Sequence, residues 1–229
     1  MVENIIESRG LSKSYRIGKR QIKILEDISF SVGKGEFVVI EGQSGSGKST
    51  LLSLLSGLDK PDTGCIRVNG RDIVELSEDQ LAPIRNTQIG FIFQAFHLVP
   101  SLNSLENVMF PAELNKDPEA EVKAVRLLER VGLKDRKTSM VHQLSGGEKQ
   151  RIAICRALIN NPPLVFGDEP TGNLDSANSG RIIDLLVELH KELATTLVIA
   201  THNQNIGARA DRCLRLKDGR LDAAGIPTC

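Results

Sequence analysis

Nine consecutive residues constrain the fold more than any others in the chain: Gly42-Gln43-Ser44-Gly45-Ser46-Gly47-Lys48-Ser49-Thr50. They fit the pattern GxxxxGK[ST], with a further glycine at Gly45. An apolar run, Phe37-Val38-Val39-Ile40, precedes them, and a helix-like run, Leu51-Leu52-Ser53-Leu54-Leu55, follows. Strand, loop and helix in that order is the setting in which such a loop cradles phosphate. Glycines let the backbone turn tightly and bring its N–H groups against phosphate oxygens. The helix behind the loop aims unpaired N–H groups and the positive end of its dipole at the same anion. Lys48 is then expected to reach the β- and γ-phosphates of a bound nucleotide, and the Ser49 hydroxyl to ligate Mg²⁺. A flexible Gly/Ser linker would share the composition, but not the buried strand before it and the helix after it.

The rest of the chain excludes several other roles. Lys+Arg and Asp+Glu are both 29, so the formal net charge is zero, which argues against a protein whose main task is gripping nucleic acid. With 229 residues, 40% of them hydrophobic, a sizeable core can be buried. Met1 to Gly10 alternates polar and apolar residues and lacks the apolar centre of a signal peptide. No stretch approaches the roughly 18 consecutive apolar residues of a membrane-spanning helix. Cys65, Cys155, Cys213 and Cys229 are scattered, without CxxC spacing. They read as structural thiols of a reducing cytosol rather than as a metal site or a disulfide framework.

Alternation and β-branched residues predict strands at Asn4 to Glu7, Gln21 to Leu25 and Ile28 to Val32, with a turn at Pro61 to Gly64. Cys65 to Asn69 is expected to be a short strand closed by the hairpin signal Asn69-Gly70. Ile89 to Phe93 is a further buried strand ending at Gln94. From there to about Asn160 the pattern is helical. Glu119 to Val131 places Val122, Val125, Leu128 and Val131 on one face, and a second helix through Ile152 and Leu158 stops at Asn161-Pro162-Pro163. Strand and helix then alternate: Leu164 to Phe166, an amphipathic helix from Ile182 to Leu193, and Leu197 to Ala200. A terminal hairpin turns at Asp218-Gly219. Gln94, Asp168-Glu169 and His202 all fall at or just after the ends of predicted strands, as the phosphate loop does. In open α/β sheets ligands bind at the carboxyl ends of the strands.

Two constellations carry the remaining chemistry. Asp168-Glu169 is a carboxylate pair at a strand tip, one suited to a Mg²⁺ ligand and one to polarising an attacking water, although alone it could be a solvated loop or a cap. Leu144-Ser145-Gly146-Gly147-Glu148-Lys149-Gln150-Arg151 opens a helix. Ser145 and Glu148 form a capping box, which leaves Gly146 and Gly147 unexplained, since each glycine costs about 1 kcal/mol relative to alanine inside a helix. Bare backbone at a helix N-terminus suits a second phosphate-binding surface.

The phosphate loop, Gln94, LSGGEKQR, Asp168-Glu169, Asn173-Leu174-Asp175 and His202 together resemble an ABC-type ATPase subunit, over essentially the whole chain. The similarity is greatest to the lipoprotein-releasing and macrolide-export group, through IGFIFQAFHLVPSLNSLENV (Ile89 to Val108) and DEPTGNLD (Asp168 to Asp175). That resemblance implies an α/β fold: a P-loop NTPase (RecA-like) core with an N-terminal antiparallel β-subdomain and an inserted α-helical subdomain. Residues 1–94 would hold the β-subdomain and the phosphate-loop part of the core, 95–160 the helical subdomain, and 161–229 the rest of the core. It implies that Gly42 to Thr50, Gln94 and a stacking Tyr15 bind ATP, and that Ser49, Gln94 and Asp168 hold Mg²⁺. Glu169 would be the general base, with His202 and Lys48 on the γ-phosphate. Ser145, Gly146, Gly147 and Asp175 would act on ATP held by a second copy. The implied partners are that second copy and integral membrane permease subunits, with no nucleic acid. The implied location is cytoplasmic, peripheral on the inner face of the cell membrane. The apolar segment His97 to Leu105 is a candidate docking surface for the membrane partner. An ATPase of a non-transporting membrane complex, such as a cell-division-associated system, would share every one of these motifs. Asn203 departs from the family, which commonly has Asp there.

Overall fold

The computed structural model describes residues 3–222, so Cys229 lies outside the described residues. In chain order the elements are β1 (Asn4–Ile17), β2 (Arg20–Gly33), β3 (Phe37–Glu41), α1 (Lys48–Leu55), β4 (Thr63–Val68), β5 (Arg71–Asp72), α2 (Glu78–Gln88) and β6 (Ile89–Phe93). Then come α3 (Ser104–Leu114), α4 (Ala120–Arg130), α5 (Gly146–Leu158), β7 (Leu164–Asp168), α6 (Ser176–Leu193), β8 (Thr196–Thr201), α7 (Gln204–Gly207), β9 (Arg212–Lys217) and β10 (Arg220–Leu221).

Two sheets result. The first is antiparallel, in the order β2-β1-β4-β5. Its β4–β5 turn is Asn69-Gly70, with φ of 50° and 78°, the left-handed pair that a two-residue hairpin requires. The second runs β10-β9-β3-β8-β7-β6, parallel from β9 to β6, with β10 antiparallel on its edge. Strands β3, β7 and β8 are buried along nearly their whole length. A strand covered on both faces has no polar side to alternate with, hence the continuous apolar runs of the sequence. One face of the parallel sheet and the antiparallel sheet share a core with Leu51, Leu52, Leu54 and Leu55 of α1. The other face, through Val39, Val165 and Leu197, packs on Ile154 of α5 and Ile182 and Leu186 of α6. Helices α3, α4 and α5 enclose a third cluster around Val108, Ala124, Leu128 and Ile152.

The structure corrects four local expectations. The two strands predicted between Gln21 and Val32 are one, β2, and its irregular point is Asp27, at φ 52°. Thr63 and Gly64 belong to β4 and not to a turn. Helix α6 begins at Ser176, six residues before the predicted start at Ile182, because Asp175 caps it there. In α4, Val122 is 49% exposed, and the buried face is Ala120, Ala124 and Leu128. No helix among the described residues is long and apolar enough to cross a membrane.

Candidate nucleotide-binding site

Parallel pairing sets the site. Register matches Glu41 to Thr201 and Phe93 to Asp168, so the phosphate loop, Gln94, Asp168-Glu169 and His202 emerge from one end of the sheet. A cavity of about 610 Å³ is lined by Gln43 to Gly45, Gly47 to Thr50, Gln94, Glu169, His202 and Ile24. A second, of about 620 Å³, lies along Gly42 to Ser46, His202 and Arg215 to Asp218. Ser46 Oγ is buried without a hydrogen-bond partner, although the loop around it is otherwise dense in polar contacts.

The loop's shape is enforced by backbone geometry. Gly47 sits at φ +103°, and a Cβ there would meet Leu25 Cδ2 at 2.8 Å and Ile24 O at 3.0 Å. Gly47 is also the N-cap of α1, and it supplies no side-chain cap to the helix. The N–H groups of the first turn are therefore left for a ligand. Lys48 is only 7% exposed, and its Nζ donates to the carbonyls of Gly42 (2.8 Å) and Gln43 (3.1 Å). It also stands 3.8 Å from Glu169 Oε1.

Across the cavity, Ser49 Oγ donates to Asp168 Oδ1 at 3.0 Å. Burial holds the Asp168 carboxyl above its ordinary range, and the neighbouring Glu169 charge adds to this; Ser49 and Lys48 act in the opposite direction. The oxygen set is one carboxylate, one hydroxyl and the nearby Gln94 amide; no group of three or more His, Cys, Asp or Glu among the described residues could hold a metal. So sparse a set of hard oxygens suits Mg²⁺, which usually binds through one or two protein groups and completes its shell with phosphate and water. Gln94 is tied to the segment beyond Glu169: its Nε2 donates to Asn173 Oδ1 (3.3 Å), and Asn173 Nδ2 donates to the Gln94 carbonyl (2.9 Å).

Glu169 is held at three points. Its backbone adopts φ +45°, unusual for a residue with a side chain, and its N–H donates to Ala200 O at 2.9 Å. Its Oε2 accepts from Thr201 Oγ1 (2.9 Å), and its Oε1 lies 2.8 Å from His202 Nδ1.

The remaining predicted residues lie elsewhere. Tyr15 lines neither cavity; its hydroxyl donates to Asp59 Oδ2 at 2.6 Å, and burial and the Asp59 carboxylate push its pKa up to about 12. Ser145 is the N-cap of α5, where its hydroxyl pairs with Glu148 in the expected capping box. A Cβ on Gly146 would meet Leu174 at 3.3 Å, and one on Gly147 would meet Asn178 at 3.2 Å. Close packing on the start of α6 thus accounts for part of what capping leaves unexplained. Asp175 caps α6, accepting from the backbone N–H of Asn178 at 2.8 Å. Neither Asp175 nor Ser145 to Gly147 lines the phosphate-loop cavity of their own chain.

Comparison with known proteins fixes what this arrangement belongs to. The family model described as "ABC transporter" matches residues 25–172. The chain belongs to the ABC transporter family. Relatives of this ABC transporter chain include the lipoprotein-releasing system ATP-binding protein LolD of Legionella pneumophila (strain Paris), 47% identical over 225 residues, or 97% of this chain and 99% of that one. The macrolide export ATP-binding/permease protein MacB of Bdellovibrio bacteriovorus is 46% identical over 96% of this chain, which spans 34% of that longer protein. Among solved structures, the dimeric ATP-binding cassette MJ0796 bound to ADP and Pi superposes with a TM-score of 0.88 at 38% identity, covering 95% of this chain and 96% of that one. The fold is therefore the α/β cassette expected from the motifs.

Two residues of this ABC transporter chain escaped the motif pattern. Thr201 touches Glu169 directly; its only sequence signal is a hydroxyl just before His202 at a strand end. Arg156 of α5, half-buried and with its pKa lowered by desolvation, donates to the carbonyls of His97 (2.6 Å) and Phe96 (2.8 Å). Those two residues have φ of +48° and +61°, so the guanidinium clamps a strained turn just beyond Gln94.

Proposed function

We propose that the chain is the ATP-hydrolysing subunit of a transporter of the lipoprotein-release or macrolide/lipid-export type. It pairs head to tail with a second copy on ATP and drives a separate integral membrane permease from the cytoplasmic face of the membrane. The observation that carries this is Glu169: its backbone N–H is held by the Ala200 carbonyl and its carboxylate by Thr201 and His202, with Oε1 turned toward Lys48 at the phosphate loop.

Lys48 has two carbonyls and Glu169 as neighbours, and the γ-phosphate of ATP would compete for the same ammonium. The N–H groups of the loop and of the first turn of α1 would take up the charge that develops on the γ-phosphoryl oxygens. Ser49, Asp168 and Gln94 would hold Mg²⁺, which would neutralise phosphate charge when bound. Glu169 Oε1 would orient water and accept its proton, while His202 contacts the γ-phosphate. Ser145, Gly146 and Gly147 would close the site from the second copy, since these amides do not reach the cavity of their own chain. Tyr15 would stack on adenine from β1.

The permease surface in this reading is a groove of about 450 Å³ between α2, β6, α3 and α5. Leu58, Phe110 and Leu114 on its walls are 51%, 43% and 63% exposed, the kind of apolar patch that marks an interaction surface. Of the segment His97 to Leu105, only His97 and Val99 line it, and Leu98 is turned into the core. Support for a permease partner comes from the 47% identity to LolD, named as the ATP-binding protein of its system, and from MacB, whose name joins ATP-binding and permease.

Glu169→Gln tests the assignment. With ATP and Mg²⁺ it should accumulate as an ATP-bound dimer on size exclusion, with hydrolysis reduced by at least about 100-fold. A variant that stays monomeric and hydrolyses ATP at the parental rate would overturn both the base and the sandwich.

A further inference from the structure

We propose that Thr201 is a positioning residue for hydrolysis: its hydroxyl fixes the rotation of the Glu169 carboxylate, so that Oε1 rather than Oε2 is presented to the attacking water. The inference rests on Glu169 being the base.

Hydrogen-bond direction decides the point. Thr201 ends β8 and is completely buried. Its Oγ1 lies 3.1 Å from the backbone N of Asn203 and 2.9 Å from Glu169 Oε2. An N–H can only donate, so the Thr201 oxygen is the acceptor toward Asn203. A hydroxyl carries a single proton, and that proton is then directed to the carboxylate. The relay runs one way, from Asn203 N–H to the Thr201 hydroxyl to Glu169 Oε2. A donor aimed at an ionised carboxylate makes one of the stronger protein hydrogen bonds.

The same strand holds both ends of the base. Ala200 accepts the Glu169 backbone N–H, and Thr201, the next residue, binds the side chain. With Oε2 engaged in this way, Oε1 is the oxygen left facing His202 and Lys48. A carboxylate without this tether can turn about its last bond and exchange its oxygens. Water orientation is then lost while every phosphate contact remains. The expected signature is a fall in kcat without a fall in ATP affinity.

Thr201→Val keeps the branched shape that β8 packs and removes only the hydrogen-bonding capacity. It should lower kcat roughly 10- to 100-fold, leave the ATP KM within about twofold, and lengthen the lifetime of the ATP-bound dimer. A purely structural defect would not prolong that dimer. Thr201→Ser, which restores the donor, should recover most of the parental kcat. If Thr201→Val does not fold, Thr201→Ala removes the same hydroxyl with fewer packing demands, and the same measurements apply. Parental kcat in either hydroxyl-free variant, alongside an inactive Glu169→Gln, would overturn the role of Thr201 and leave the base assignment standing. Loss of kcat accompanied by an equal loss of ATP affinity or by a short-lived dimer would also overturn it. An active Glu169→Gln would instead remove the base assignment itself, and the role of Thr201 with it.

Discussion

Two helix N-termini in this chain are built on opposite principles. Helix α1 starts at Gly47, with no side-chain cap and no acidic residue in its first turn. Helix α5 starts at Ser145, with a full capping box and Glu148 in its first turn, and Arg136 Nε pairs with that carboxylate at 3.1 Å. A helix N-terminus leaves four N–H groups unsatisfied and a partial positive charge behind them. At α5 the protein meets much of that demand with its own side chains. At α1 it meets none of it, and surrounds the turn instead with Lys48, Asp168, Glu169 and Gln94. The α5 end can therefore stand alone and meet a ligand late; the α1 end is organised for a ligand from the outset. This difference matches the proposed roles of a trans wall and a primary wall of the same site.

The sharpest way to break the comparison is at α1. Lys48→Ala removes the one Lys or Arg side chain that lines the phosphate-loop cavity among the described residues. ATP hydrolysis should fall by at least about 100-fold, the usual cost of losing one preorganised charge-stabilising donor. Steady-state phosphate release measures it. Near-parental turnover would mean that the backbone amides of α1 suffice, and the contrast with α5 would lose its functional meaning.

Much of the α1 wall was legible in the sequence because it is contiguous: strand, loop and helix follow one another from Phe37 to Leu55. The α5 cap was legible for the same reason, since Ser145 and Glu148 are three residues apart. Contacts that cross the chain were not. Thr201 reaches Glu169 from 32 positions away, and Tyr15 reaches Asp59 from 44. Parallel pairing of β7 and β8 creates the first contact, and no local pattern encodes it. Helix α4 misled for a different reason. Its packed face is built on Ala120 and Ala124, which let helices approach closely but carry little weight in a hydrophobic pattern, while the conspicuous Val122 faces solvent. Helix α2 escaped because Pro83, a residue that argues against a helix, stands inside it, and only Leu81 and Ile84 are buried.

A smaller effect sharpens the α5 side. Ser145→Ala deletes the cap, and losing an N-cap of this type typically costs about 1 kcal/mol. For a domain of this size that corresponds to a melting temperature lower by roughly 2–4 °C, measured by circular dichroism without nucleotide. ATP binding to a single chain should be unchanged, because Ser145 does not line the cavity. An unaltered melting temperature would show that the box contributes no stability, leaving α5 as dependent on a ligand as α1.

The smallest effect concerns two aspartates that divide along the same line. Asp175 caps α6, and hydrogen bonds from the Asn178 backbone and side chain hold its pKa below the ordinary value. Asp168 stands beside α1, and burial raises its pKa above 3.8. A raised carboxyl pKa means that the folded protein binds more protons than the unfolded chain between 3.8 and the folded value. Stability therefore declines as pH rises through that interval, and the deficit is fully present at pH 7. For Asp175 the sign is reversed: its contribution is present above the unfolded pKa and lost on acidification. Asp168→Asn keeps an acceptor for Ser49 and removes the buried charge. Without nucleotide or metal it should melt about 1–2 °C higher than the parent at pH 7, and the gain should shrink toward zero as pH approaches 3.8. Adding ATP with Mg²⁺ should reverse the order, stabilising the parent and not the variant. A variant less stable than the parent at pH 7 without ligands would mean that Ser49 and Lys48 more than offset the burial of Asp168. The wall at α1 would then be balanced internally, as the cap at α5 is.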